Sequence, residues 1–248
     1  MQAYRRGRLA AFALIFSLAL LRPLAAAAEP APDMAAARQA VYGGALWRSG
    51  GNAFFGGAST LLHVHEVFRA AYREQAQDKL MLVYQLTPGP REQYVCHSCR
   101  PALGAAVLAL DAQGGWHVQA RSQLLMWGAP FSGPEDLQLI ALGPQRWGLR
   151  SRDHDVAQGF ESRRERVVVV QQQRLLLALD EGFTEAPGPG ACGPGAAAQS
   201  TALQGLSGTD EAPRLELILR YNEGACPAPA ARVERRRYAL RDGRFQPE

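Results

Sequence analysis

Short polar turns recur about every ten residues through the middle of the chain, each between two runs of apolar or β-branched residues, which is the pattern of an antiparallel meander. Gly104–Leu110 and Trp116–Arg121 flank Asp111-Ala112-Gln113-Gly114-Gly115, where glycine tolerates the positive φ of a tight reversal. Leu137–Leu142 and Trp147–Ser151 flank Gly143-Pro144-Gln145-Arg146, and Arg166–Val170 and Leu175–Leu179 flank Gln171–Arg174. Three hairpins in succession predict a mainly β fold, an antiparallel meander forming a sandwich or barrel-like domain.

The flanking sequence extends this reading. Lys79–Leu86 is a strand. Leu61–Tyr72 fits either a helical stripe or a strand, and we read a strand with Leu62, Val64, Phe68, Ala70 and Tyr72 on one face and Glu66 as a fault in it. The polar Arg73–Asp78 is then a hairpin loop. Residues 29–60 are expected to form an irregular N-terminal segment. Ala35–Tyr42 is alanine-rich enough for a short helix, and repeated glycines after it break any pattern around Leu46, Trp47, Phe54 and Phe55. Residues 61–248 form a single β-rich domain. Within it, residues 185–213 are rich in Pro, Gly, Ala and Ser and are expected to be a flexible loop. Arg214–Tyr221 and Arg232–Leu240 are the closing strands.

Residues 1–28 read as a signal peptide. Arg5, Arg6 and Arg8 precede the apolar Leu9–Leu21, and Ala25–Ala28 offers the small residues that cleavage requires. The apolar run is shorter than the roughly 20 residues needed to cross a bilayer, so no membrane span is expected after cleavage. The product is expected to be periplasmic or secreted. The chain has 27 basic and 23 acidic residues, but Arg5, Arg6, Arg8 and Arg22 lie in residues 1–28, which hold no acid. The remainder balances at 23 against 23, which gives no electrostatic case for nucleic acid.

Cys96, Cys99, Cys192 and Cys226 form an even set in an exported chain, and the simplest pairing is Cys96–Cys99 with Cys192–Cys226. Cys96-His97-Ser98-Cys99 also has the spacing of a thiol redox pair or of half a metal site. It lacks the following histidine of a haem attachment motif, since Arg100 stands there. His63-Val64-His65 would set two imidazoles on one strand face, so His63, His65 and His97 are candidate metal ligands. Asp153-His154-Asp155 is expected to be a hydrated turn, and Arg163-Arg164, Arg166 and Arg235-Arg236-Arg237 to be solvated faces. Trp116, Trp127 and Trp147 fall at strand positions as core anchors. There is no G-x-S-x-G elbow, phosphate loop or paired-carboxylate signature, and nothing calls for a cofactor.

Taken together, Cys96-His97-Ser98-Cys99, the apolar strand after it, Gly114-Gly115-Trp116, Trp127-Gly128-Ala129-Pro130, Leu142-Gly143-Pro144 and Arg237-Tyr238 with Leu240 and Asp242-Gly243 resemble uncharacterised exported proteobacterial proteins with a C-H-x-C segment. The resemblance covers about residues 60–248 and implies a β-rich exported domain without bringing an activity. The sequence therefore leans away from an enzyme. It points to a structural or protein- or ligand-binding role in the envelope, with a protein partner there. A thiol-disulfide redox protein acting through Cys96 and Cys99 is the alternative, as is a metal-binding domain using His63, His65 and the cysteine pair.

Overall fold

The computed structural model describes residues 31–49, 61–88, 101–128, 136–157, 160–187, 197–206, 209–223 and 230–248. The first element is helix α1, Met34–Tyr42. Asp33 caps it by accepting from the amides of Ala35 and Ala36, and Gly43 ends it in the left-handed region at φ 78°. Ala37, Val41 and Tyr42 are its buried side.

Every strand pairing that follows is antiparallel. Sheet A holds β1 (Leu46–Arg48), β2 (Leu61–Glu74), β3 (Gln77–Pro88), β4 (Ala102–Leu110) and β5 (Trp116–Trp127) in chain order. Sheet B holds β6 (Asp136–Gly143), β7 (Arg146–Ala157), β8 (Phe160–Gln171) and β9 (Arg174–Pro187). Sheet C holds β10 (Ala197–Leu206), β11 (Arg214–Glu223), β12 (Ala230–Arg241) and β13 (Arg244–Pro247). The meander is thus mainly β, and among the described residues no helix is long and apolar enough to cross a membrane.

Period-two alternation sorts the side chains into three apolar layers. One face of sheet A, with Leu62, Val64, Leu82, Tyr84 and Leu108, packs on α1. Its other face, with Met81, Val83, Leu103 and Val107, packs on Leu149, Val168 and Leu175 of sheet B. The far side of sheet B, through Leu142, Val167, Val169 and Leu179, packs on Leu215, Leu217, Leu219, Tyr238 and Phe245 of sheet C. Sheet A is therefore covered on both faces, which is why β4 is apolar at nearly every position rather than at alternate ones.

Several expectations are corrected. The face assigned to β2 is two faces, because a bulge between Glu66 and Phe68 shifts the register. Leu62 and Val64 point to the α1 layer, whereas Phe68 and Tyr72 join the layer against sheet B. The loop expected over Arg73–Asp78 shrinks to Gln75 and Ala76, both at positive φ (51° and 61°), because Glu74 and Gln77 still pair. In the N-terminal segment the short helix expected at Ala35–Tyr42 is α1, the added element is β1, and Trp47 meets the Tyr42 ring edge-on at 5.6 Å, while Phe54 and Phe55 lie outside the described residues. The supposed loop at 185–213 contains β10, held by a ladder to β11 from Ala197 to Leu206, with Leu203 buried in the core. An unexpected last strand, β13, follows a two-residue Asp242-Gly243 turn.

Candidate functional site

The interior charges decide which surface charges remain for a partner. Arg150 and Arg152 on β7 and Glu165 on β8 share the face of sheet B that meets sheet C. Arg150 donates to both oxygens of Glu165 at 2.8 Å through Nε and Nη2. Arg152 Nε adds a third bond at 2.9 Å, and Thr201 Oγ1 on β10 a fourth at 2.6 Å. Arg152 also reaches the Thr201 carbonyl at 3.0 Å, so the cluster pins sheet B to sheet C. Burial alone would raise the Glu165 pKa. The hydrogen bonds from Arg150 and Thr201 and the charges of Arg150 and Arg152 outweigh it and hold the carboxyl below its usual range.

Asp153-His154-Asp155 is not a turn but lies within β7, paired with Arg164, Arg163 and Ser162. Asp153 is buried against Arg166, which also bonds Asp180 at 3.2 Å, so Arg166 is an interior ion-pair partner and not part of a solvated face. Lys79, the only lysine in the chain, is buried in a 2.6 Å pair with Glu74. Surface cationic charge on the described domain is therefore carried by arginine.

That charge is concentrated on one face. On sheet C the even positions of β11 and the odd positions of β12 point away from the core that Leu215, Leu217, Leu219 and Tyr238 enter. Arg214 and Arg220 of β11, Arg235, Arg237 and Arg241 of β12, and Arg244 of β13 share this outer face, and all six are exposed. Exposed Val233 stands opposite Arg220. In the middle lies Glu216, with a side chain only 3% exposed because Arg235 and Arg237 close over it at 2.8 and 3.2 Å and Gln204 donates at 3.1 Å. Burial would raise its pKa, but the hydrogen bonds from Arg237 and Arg235 and their charges lower it. Glu248 pairs with Arg214 at 3.0 Å, and Asp242 sits in the β12–β13 turn. Among the described residues, no carboxylate pairs with Arg220, Arg241 or Arg244.

Arg235 and Arg237 are exposed, as expected of a solvated run, but the run alone does not announce the face they share with β11. The available signal was parity: Arg214 and Arg220 are even on one strand, and Arg235, Arg237 and Arg241 are odd on its partner. Arg236, of opposite parity, points inward and lies over the Phe183 ring at 5.7 Å.

Of the predicted ligands, His63 and His65 fall on one face of β2, with rings stacked 5.9 Å apart at centroids and 15° between planes. Cys96, His97, Cys99, Cys192 and Cys226 lie outside the described residues. Among the described residues, no group of three or more His, Cys, Asp or Glu assembles into a metal cage. Trp116 packs at the margin of the α1 layer, and Trp147 donates its indole N–H to the Arg73 carbonyl at 3.1 Å. A cleft of about 350 Å³ lies beside α1, lined by Trp47, Ser49, Arg121, Gln123 and Arg174 among others. Arg121 and Gln123 are engaged there in holding α1, through the Ala40 and Val41 carbonyls at 2.5 and 2.6 Å. Against known protein families, curated proteins and solved structures, the chain has no match.

Proposed function

We propose that this chain is a non-catalytic, exported binding domain of the bacterial envelope that presents the outer face of sheet C to an acidic protein partner. The observation that carries the reading is the set of six arginines on one rigid sheet face that already encloses a carboxylate of its own. A guanidinium presents its donors as a planar fork matched to a carboxylate, so an array fixed on a ladder suits aspartate and glutamate side chains. Val233 adds an apolar contact among the charges. Export by residues 1–28 belongs to the same reading, as do two structural disulfides, Cys96–Cys99 and Cys192–Cys226, formed in an oxidising compartment.

Poly-L-glutamate is a suitable probe, titrated by calorimetry into the oxidised protein at low salt. Arg220→Glu, Arg241→Glu and Arg244→Glu together leave the Glu216 clamp in place. The triple variant is expected to bind about tenfold or more weakly, and wild-type binding to weaken as salt is raised. Equal binding by the two proteins overturns the proposal. So does binding to phosphatidylglycerol vesicles with none to polyglutamate, because the partner would then be a membrane surface.

A further inference from the structure

We infer that His63 and His65 form a two-nitrogen chelate on β2 for a borderline divalent transition-metal ion, with Cu(II) the preferred occupant. Side chains two apart on a strand project from the same face, and the ladder to β3, through His63 with Thr87 and His65 with Gln85, fixes both backbone origins. An imidazole nitrogen binds such an ion at about 2.0–2.1 Å with the ring centre about 1.1 Å farther out, so two rings on one ion have centroids no more than about 6.4 Å apart. The 5.9 Å found here lies inside that limit, and the stacked rings, 15° apart in plane, would have to turn about their side-chain bonds to aim one nitrogen each at the same ion.

The surroundings suit the assignment. His65 is exposed and His63 half-buried, so an ion has access to the pair. The neighbouring acid, Glu66, is on the opposite face and engaged by Arg69 at 2.8 and 3.1 Å, so it does not compete for the imidazoles. Two imidazole nitrogens with the remaining positions left to water suit Cu(II) above Ni(II) and Zn(II), following the usual order of divalent affinities. A site with two protein ligands exchanges its ion readily, unlike a closed structural site.

The test is a Cu(II) titration of the full-length oxidised protein, read by electron paramagnetic resonance and calorimetry, alongside His63→Ala and His65→Ala. One ion per chain with a two-imidazole signature is expected. Each substitution should lower affinity about tenfold or more and remove one nitrogen from the signature. The melting temperature of metal-free His65→Ala should match wild type, since this side chain is exposed. Copper bound with the same affinity and signature by both variants overturns the inference, as does a sulfur-ligated signature that leaves both histidines free.

Discussion

Arg150 on β7 and Glu165 on β8 meet diagonally across sheet B through two parallel 2.8 Å hydrogen bonds, with the Glu165 side chain wholly removed from solvent. Removing one partner of a buried pair strands the other charge, at a cost of about 3–5 kcal/mol. Glu165→Gln keeps the shape but leaves Arg150 without a counter-charge. Its melting temperature should fall by about 6–12 °C, taking about 3 kcal/mol and the scaling for a domain of this size. Calorimetry checks this, and a fall of under 2 °C would count against a stabilising pair.

The same carboxyl sets a pH dependence. Its folded pKa is depressed, so it contributes stability above its unfolded value and loses it as pH falls through the folded value. The gap in melting temperature between wild type and Glu165→Gln should be full near pH 7. It should begin to close below about pH 4.3, the ordinary glutamate value. A gap that widens on acidification would contradict the assignment.

Helix α1 is held by Tyr42, whose hydroxyl donates to the Gln123 carbonyl at 3.0 Å and whose ring sits 5.3 Å from Tyr84. The hydroxyl passes over Gly104 so closely that a β-carbon there would overlap it and the Gln123 backbone. Tyr42→Phe should cost about 1 kcal/mol for the lost hydrogen bond. Gly104→Ala should cost more, because β4 is buried and the Gln123 backbone cannot yield. Denaturant unfolding ranks the two, and the opposite order would refute the close approach.

The cysteines give a sequence-based ranking. A Cys192–Cys226 disulfide would close about 35 residues and be worth about 3–4 kcal/mol, whereas a Cys96–Cys99 disulfide would close a tiny loop. Cys192→Ala should therefore lower the melting temperature more than Cys96→Ala, after thiol mapping has confirmed that both pairs are oxidised. Turnover in an insulin-reduction assay would instead favour the redox alternative.

What the sequence reveals here is what is encoded locally. Asp111–Gly115, Pro144-Gln145 and Gln172-Gln173 mark reversals in their own residues, so the hairpins around them are legible. The Glu165 cluster is not, because Thr201 comes from a strand 36 positions away and nothing local announces the bond. β10 is hidden by its Ala- and Ser-rich composition and exists through its ladder to β11. Glu66, which breaks the apolar alternation of β2, is the visible trace of the bulge that turns Phe68 to the other face. The arginine face is hidden for a related reason: β11 and β12 are each unremarkable, and only their register brings Arg214, Arg220, Arg235, Arg237 and Arg241 together.

The most direct test of that face is arginine footprinting. The protein is treated with phenylglyoxal with and without poly-L-glutamate, and modified arginines are located by mass spectrometry. Protection is expected at Arg220, Arg241 and Arg244, with exposed Arg174 on the β8–β9 turn modified equally in both samples. Protection at Arg174 with none at Arg220, Arg241 and Arg244 would contradict the claim that sheet C is the binding surface.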